Sequence, residues 1–496
     1  METALAELRE RLAKLTDLRR TEGLLAWDMQ VFMPPGGAPT RAAQLATLEE
    51  VIHERLVDDR LGELLDELEP YAASLPHDSD DACLIRVARR DWDRARRVPG
   101  ELAAEIAQTA AESYAVWVTA REDSDFAAFC PALERVVDLR RRYIECFAPY
   151  DDAYDVLLED YEPGMKTSEV REIFAVLTPA LRELVAANAT DVDDAFMRGP
   201  FPVDAQDALS RELCEAFGAT WEQFRLDTTV HPFEITFGLG DVRLTSRYSE
   251  HDLLSLFTAM HECGHGLYEW GVSPALERTP LCAGVSATLH ESQSRLWENV
   301  VGRSLPFWRW FYPQFRDGFA VLEDVPLETF HRAINRPRPS LIRVDADETT
   351  YGLHIILRFG LEQELLFGDL DTKDLPERWN DRMEKLVGIR PPDDRRGCLQ
   401  DVHWGAGLFG YFPTYQLGNV LSVQIWERLL ADVPDAYAQI EEGSFGEIYE
   451  WLRDRLYRHG RKFTPTETIL RVAGGPIDPE PYLRYLADKN ASLAAA

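Results

Sequence analysis

The chain has 496 residues, of which 45% are hydrophobic and 10% aromatic, and its formal net charge is -33. This composition is typical of a globular protein with a large core and excludes a disordered chain, and the length allows about three domains. The strong negative charge argues against nucleic acid as a partner, because phosphate binding needs a basic surface.

The sequence predicts neither a secretory signal nor a membrane span. Residues 1–29 have the pattern of a charged amphipathic helix, and no run approaches the roughly 18 apolar residues that a span needs. The seven cysteines are scattered and show no CxxC spacing, which is typical of free thiols in a reducing compartment. We therefore expect a soluble cytoplasmic protein without a membrane partner.

Helical periodicity dominates the first part of the chain. Apolar residues recur every three or four positions, with Arg, Asp and Glu between them, and this spacing predicts helices at 1–28, 39–70, 80–96, 100–121, 126–158 and 167–189. Pro and Gly clusters predict breaks at residues 33–37, 163–164 and 198–200.

A different pattern follows at residues 233–245. Phe233 to Phe237 and Val242 to Thr245 alternate in polarity and are rich in β-branched and aromatic side chains, with a Gly-containing turn between them. This pattern predicts a β-hairpin. An exposed edge strand there could pair with an extended peptide, although a purely structural hairpin fits the segment equally well.

The next element is a predicted helix that carries a metal motif. Ser249-Glu250-His251-Asp252 has the S-x-x-D form of a capping box, and apolar residues then recur at helical spacing up to about Trp270 and Gly271. Within it, residues 261–265 form an HExxH motif. The motif is therefore expected on a helix.

The chemistry of this motif follows from its spacing. His261 and His265 lie four residues apart, so they share one helix face and can bind one metal ion. Glu262 projects beside them, where a general base for an activated water molecule is needed. Cys263 lies two residues from each histidine and is interpreted as a packing residue.

A catalytic zinc site needs three protein ligands, so a third must come from elsewhere. Glu291 is the best candidate, since it lies 26 residues after His265 in a predicted helix from Ser286 to Val301. His290 and Glu298 remain alternatives at this stage.

Further polar groups occur downstream among aromatic residues and glycines. His403, Tyr411 and Tyr415 are candidates for stabilising the oxyanion that develops during amide hydrolysis. Arg343 in Ile342-Arg343-Val344-Asp345-Ala346-Asp347 could bind the terminal carboxylate of a peptide, and an internal Arg–Asp ion pair is the alternative interpretation.

Taken together, these motifs resemble the M32 metallocarboxypeptidases, which include thermostable carboxypeptidases of prokaryotes. Six family motifs occur in order between residues 231 and 404: His-Pro-Phe at 231–233, DxRxT at 241–245, HExxH at 261–265, HES(G/Q) at 290–293, IRxxAD at 342–347 and GxxQDxHW at 397–404. Ala26-Trp27-Asp28 and Met33-Pro34-Pro35-Gly36-Gly37 extend the resemblance over nearly the whole chain.

The resemblance implies a mainly α fold with a deep substrate groove, similar to neurolysin and angiotensin-converting enzyme, and a small hairpin or sheet beside the active site. We expect residues 1–200 to form one helical wall of the groove and residues 201–496 the catalytic region, in one integrated unit. It also implies a homodimer.

The implied activity is removal of single residues from peptide C-termini, with broad specificity and Pro disfavoured. One metal ion per chain, zinc with cobalt as an alternative, would be held by His261, His265 and Glu291, with Glu262 as base. Substrate contacts would be made by Arg343, His231, Arg243, Asp241, Gln400 and Asp401.

Three other functions remain to be separated from this one. An endo-oligopeptidase or dipeptide-releasing enzyme of the same architecture would yield larger products than single amino acids. A non-catalytic peptide-binding protein would bind without turnover. A structural helical protein would not require these polar motifs.

Overall fold

The computed structural model describes residues 1–188, 192 and 194–495. Helices form most of it, as the sequence predicts, and the α-helices run in chain order as α1 Glu2–Val31, α2 Ala38–Leu56, α3 Asp59–Ser74, α4 Asp80–Arg97, α5 Gly100–Asp123, α6 Phe126–Glu145, α7 Asp155–Leu158, α8 Thr167–Ala187, α9 Val203–Phe217, α10 Leu254–Trp270, α11 Ala287–Arg295, α12 Leu305–Asp317, α13 Leu327–Asn335, α14 Tyr351–Phe367, α15 Leu375–Val387, α16 Phe412–Asp432, α17 Ala436–Glu441, α18 Gly446–Arg455, α19 Pro465–Ala473 and α20 Pro479–Ala495.

Short helical turns connect several of these elements. A π-helical turn, Leu296–Val301, continues α11. The 3-10 turns are Pro35–Gly37, Ala195–Arg198, Pro274–Leu276, Ala320–Leu322, Arg343–Asp345, Thr372–Asp374 and Tyr457–Lys462.

Two predicted helices are each interrupted. The segment 39–70 divides into α2 and α3, because the side chain of Asp58 accepts a hydrogen bond from the Arg60 amide and begins a new helix there. In the segment 126–158, the long helix α6 ends at Glu145, shortly before Pro149. Helical structure resumes only at α7.

The predicted hairpin is confirmed and belongs to a three-stranded sheet. Its strands are β2 Glu234–Gly238 and β3 Asp241–Ser246, which pair antiparallel. β1 Phe224–Thr228 pairs parallel with β3, so the order is β1-β3-β2 and β2 is an edge strand. β1 was not predicted from the sequence, although its residues alternate in polarity.

The capping box predicted before α10 is wrong. The helix begins at Leu254 without a side-chain cap at its N-cap residue, and the Asp252 carboxylate instead accepts a hydrogen bond from the Leu254 amide at 3.0 Å. The helix itself and its end at Trp270 are confirmed.

The buried side chains form two hydrophobic clusters. The larger extends from Trp117 to Leu486 and surrounds α10, α11 and α16. The smaller joins α1, α3 and α4 to Val272, Leu276 and Leu281, which lie just after α10. The N-terminal helices therefore pack directly beside the segment that follows the metal helix, while the boundary at residue 200 stays a prediction.

Candidate active site

Glycines allow the helices around the metal motif to pack closely. A Cβ at Gly264 of α10 would lie 2.7 Å from the Gln293 carbonyl oxygen of α11, and one at Gly418 of α16 would lie 2.7 Å from Cβ of Glu291. Because larger side chains do not fit at these positions, α10 and α16 approach α11 from two sides. This packing brings Glu291 to the histidines of α10.

The three sequence-predicted ligands converge at one point. The ligand atoms of His261, His265 and Glu291 all lie within 4.8 Å of one another. Oε2 of Glu291 lies 3.7 Å from Nε2 of His261 and 3.6 Å from Nε2 of His265. Ligands about 2.0–2.1 Å from a tetrahedral zinc ion are separated by about 3.3 Å, so two imidazoles and a carboxylate at these distances fit such an ion.

The two alternative ligands lie behind the histidines. Oε2 of Glu298 is 2.9 Å from Nδ1 of His261, and Nδ1 of His290 is 2.6 Å from Nδ1 of His265. Contacts at Nδ1 orient each ring and leave Nε2 for a metal. In this arrangement Glu298 and His290 support the ligands, and Glu291 completes the group.

Two supporting residues were not found from the sequence. Oε1 of Glu269 lies 2.8 Å from Nε2 of His290, so it continues the chain of contacts behind His265. Nε of Arg295 donates to Oε1 of Glu291 at 2.7 Å, which leaves Oε2 directed toward the histidines. Both lie four residues after a proposed ligand on the same helix, and that spacing could have revealed them.

Electrostatics favour the metal-binding forms of Glu291 and His265. Burial alone raises the pKa of Glu291, but the positive charges of Arg295 and His261 outweigh it and hold that pKa well below its ordinary value. Burial lowers the pKa of His265 to about 3, so its imidazole is neutral at pH 7. A carboxylate and a neutral imidazole are the forms that bind metal ions. For His261, burial lowers the pKa, but the carboxylates of Glu291 and Glu298 outweigh it and raise that pKa above its ordinary value.

Glu262 faces the same space as the ligands. Its carboxyl lines a cavity of about 680 Å³ that also contains the side chains of His261, His265 and Glu291. Burial raises the pKa of Glu262 to about 7. A carboxylate whose pKa lies near neutrality is suited to accept and return a proton.

The family relationship follows from comparison with known proteins. A sequence profile described as Carboxypeptidase Taq (M32) metallopeptidase matches residues 7–490. The chain is 42% identical to Thermostable carboxypeptidase 1 of Thermus thermophilus over 95% of each chain, and 34% identical to Carboxypeptidase 1 of Bacillus subtilis over 97% of each. It is also similar to the crystal structure of an M32 carboxypeptidase from Deinococcus radiodurans, with a TM-score of 0.95, 39% identity and 100% of both chains covered.

The chain belongs to the M32 family of metallopeptidases. It is therefore a metal-dependent carboxypeptidase that acts on peptides, and His261, His265 and Glu291 form its candidate metal site. The mainly helical fold expected for M32 is confirmed. Within the described residues, no helix combines the length and apolar character that crossing a membrane requires.

The aromatic residues singled out in the M32 sequence lie on one wall of the cavity. Tyr411 and Tyr415 both line it, with their ring centroids 5.1 Å apart. Nε2 of His403 lies 3.1 Å from the Tyr415 hydroxyl, and His403 is buried behind that ring. The oxyanion role of these three residues stays a prediction.

Arg343 occupies an internal ion pair, which is the alternative interpretation of its motif. Its Nε donates to Oδ1 of Asp401 at 3.0 Å and its Nη1 donates to the Tyr351 hydroxyl at 2.9 Å. Oε1 of Gln400 accepts a hydrogen bond from the Arg343 amide at 2.9 Å. This network lies outside the cavity wall, and the Arg343 guanidinium carbon is 5.0 Å from the ring centroid of Tyr415.

The remaining predicted substrate residues lie further from the metal ligands. Asp241 and Arg243 form an ion pair on β3 at 2.8 Å, and the Arg243 guanidinium carbon lies 4.1 Å from the ring centroid of Trp27 on α1. His231 is exposed just before β2. None of these three side chains lines the cavity, and their contacts with substrate stay predictions.

Proposed function

We propose that this M32 enzyme releases single amino acids from the free C-termini of peptides, with broad specificity and with Pro disfavoured at the cleaved position. The observation that carries the proposal is the convergence of His261, His265 and Glu291 on one wall of a cavity that Glu262 also lines. A ligand set of this kind, with a neighbouring carboxylate, is suited to amide hydrolysis.

We further propose zinc as the resident metal, one ion per chain, with cobalt as a competent substitute. Two imidazoles and one carboxylate suit zinc, and cobalt accepts the same donors. When bound, the ion supplies a Lewis acid that polarises the scissile carbonyl and lowers the pKa of a water molecule. It leaves the proton transfers to the protein.

The side chains of the chain have separate roles in this scheme. Glu262 accepts a proton from the attacking water and passes it to the leaving amine. The hydroxyl of Tyr411 or Tyr415 stabilises the oxyanion, and His403 orients Tyr415 through the 3.1 Å contact. The free edge of β2 binds the extended peptide by main-chain hydrogen bonds.

The residues of the IRxxAD, DxRxT and GxxQDxHW motifs are proposed to recognise the end of the peptide. Arg343 provides the guanidinium for the terminal carboxylate, and His231 is a second candidate for that contact. Gln400 and Asp401 hold Arg343. Asp241 and Arg243 bound the groove and limit substrate length. A cytoplasmic homodimer remains the expected form of the protein.

Mass spectrometry of a peptide digest tests this function. An unstructured decapeptide is incubated with zinc-loaded protein, beside its C-terminally amidated twin, a twin with Pro as the terminal residue, and a chelator control. The expected result is a ladder of single-residue losses from the free-acid peptide, with no loss from the amide or with chelator, and slow loss of Pro.

Other product patterns support the alternatives. Internal cuts in both the acid and the amide would indicate an endopeptidase and would remove the proposed role of Arg343. Losses in steps of two residues would indicate a dipeptide-releasing enzyme. Absence of cutting after zinc or cobalt is restored would favour a peptide-binding protein.

A further inference from the structure

The arginines on the wall of the active-site cavity are all paired. Nη2 of Arg461 lies 3.1 Å from Oδ1 of Asp91, and Nη2 of Arg90 lies 3.2 Å from the same oxygen. Nε of Arg94 donates to Oδ1 of Asp160 at 2.9 Å. These contacts account for two of the carboxylates that line the cavity.

Most of the remaining cavity carboxylates also have partners or roles. Glu291 is bound by Arg295, and Glu159 accepts a hydrogen bond from the Gly164 amide at 2.7 Å. Glu262 is the proposed base.

Glu234 on the edge strand β2 is the exception. Its carboxyl lines the cavity, and its Oε1 accepts a hydrogen bond from the Thr236 hydroxyl at 2.6 Å. Within the part of the chain that the structure describes, no Lys, Arg or His nitrogen lies within 4.0 Å of it. Burial and the nearby charge of Glu269 raise the pKa of Glu234 to about 8.

The position of Glu234 directs its carboxyl at the substrate path. Successive side chains of a strand point to opposite faces. The neighbouring Ile235 points toward α1, with its Cδ1 3.1 Å from the position of a Cβ on Gly23, so Glu234 points to the other face, which borders the cavity. A peptide paired with the free edge of β2 would set every second side chain about 4.5–5.5 Å from the Cβ atoms on the face of Glu234. A positive group there would supply the counter-charge that Glu234 lacks and would favour the ionised form of its carboxyl.

We propose that Glu234 binds a cationic group of the substrate, an ammonium or guanidinium, close to the scissile bond. The inference rests on the proposed carboxypeptidase function and names a substrate class for it. Two sources supply this chemistry: a Lys or Arg side chain at one of the last two positions, or the amino-terminal ammonium of a dipeptide or tripeptide. One charge-assisted contact at this site is expected to favour the cationic substrate about tenfold or more.

Three pairs of peptides separate these sources. The first carries Lys or norleucine as the terminal residue, the second carries Lys or norleucine as the penultimate residue, and the third is a tripeptide with a free or acetylated N-terminus. The ratio of kcat/KM within each pair is measured for the zinc-loaded wild type, for Glu234→Gln and for Glu159→Gln. Glu159 lines the same cavity, so its variant controls for the loss of one negative charge.

The expected result is a preference of about tenfold or more for the cationic member of at least one pair in the wild type. Glu159→Gln keeps this ratio and Glu234→Gln brings it close to one. Equal kcat/KM within all three pairs for the wild type overturns the proposal, and so does a cationic preference that Glu234→Gln leaves unchanged.

Binding measurements keep this test separate from the proposed activity. Calorimetric affinities for the same peptides are compared between Glu262→Gln and the double variant Glu262→Gln, Glu234→Gln, both loaded with zinc. A cationic preference that only the double variant loses supports the role of Glu234 even if no peptide is hydrolysed. Equal affinities within every pair for Glu262→Gln overturn it, whatever the products of the wild type are.

Discussion

Nδ1 of His261 lies 2.9 Å from Oε2 of Glu298, which the π-helical turn after α11 carries to the back of the metal ligand. A carboxylate at this nitrogen fixes the orientation of the imidazole and makes it a better ligand. The contact also explains why Glu298, an alternative ligand in the sequence, has a supporting position in the structure.

Loss of this contact is expected to weaken metal binding. We predict that Glu298→Ala lowers zinc affinity about 10–100-fold, because His261 is no longer held in its binding orientation. Competition with a chromophoric chelator measures the affinity. Glu323→Ala, which removes an exposed carboxylate, is the control and should bind zinc as the wild type does. Equal affinities for both variants would contradict the orienting role.

The ligand assignment is tested by two substitutions on α10. His265→Ala removes a proposed ligand and is expected to abolish stoichiometric metal binding. Cys263→Ala alters a buried side chain between the two histidines and should keep one metal per chain, at a cost in stability of about 1 kcal/mol. Elemental analysis of both purified variants decides the point, and a full metal complement in His265→Ala would refute the assignment.

The proposed base is expected to affect turnover without affecting the metal. Glu262→Gln removes proton transfer but preserves side-chain volume, so metal content should be unchanged while kcat falls by several orders of magnitude, about 10²–10⁴-fold or more. Steady-state hydrolysis of a free-acid peptide gives kcat, and elemental analysis gives the metal content. Turnover near that of the wild type would exclude Glu262 as the base.

The buried pairing of Asp401 is expected to matter for stability. Its carboxylate accepts hydrogen bonds from Arg343 at 3.0 Å and from Arg358 at 2.6 Å. Asp401→Asn leaves two buried guanidinium groups without a counter-charge, and we predict a loss of about 3–5 kcal/mol in the free energy of unfolding. Urea denaturation measures this loss.

An exposed ion pair provides the comparison for Asp401. Asp381 pairs with Arg390 at 2.8 Å on the surface, where its side chain is 61% exposed. Asp381→Asn should change the free energy of unfolding by no more than about 1 kcal/mol. A similar small change in Asp401→Asn would show that Arg343 and Arg358 do not depend on it.

Glu162 predicts a pH dependence of stability away from the metal ligands. It accepts a hydrogen bond from the Thr288 amide at the start of α11, and burial raises its pKa from 4.5 to about 7. Because the folded-state pKa is raised, the stability that the protonated form contributes is fully present below pH 4.5. It is lost as the pH rises through about 7.

Glu162→Gln should therefore gain stability relative to the wild type between these values, by up to about 3 kcal/mol. Urea denaturation between pH 4.5 and 8, with chelator present so that metal binding adds no pH dependence, gives the difference. The exposed Glu172→Gln should follow the wild type. Parallel curves for Glu162→Gln and the wild type would contradict the prediction.

Local patterns predict much of this fold and part of its site. Apart from the interruptions within the segments 39–70 and 126–158, the helices up to Ala187 follow from periodicity, and so do the β-hairpin and α10. Each depends on residues three or four positions apart or on a turn between neighbouring strands. The relation of His261 to His265 is of the same kind, since one helix fixes it. The family and the class of reaction follow from six motifs in order.

Local sequence patterns do not predict the contacts between segments that are far apart in the chain. The sequence favoured Glu291 as the third ligand and left His290 and Glu298 as alternatives. The packing of α11 between α10 and α16 decided that the Glu291 carboxylate faces the histidines. Tertiary structure likewise joined Arg343 to Asp401, 58 residues apart, and set β1 beside β3. Local propensity determines the elements of this protein, whereas its metal site and ion-pair networks depend on where those elements meet.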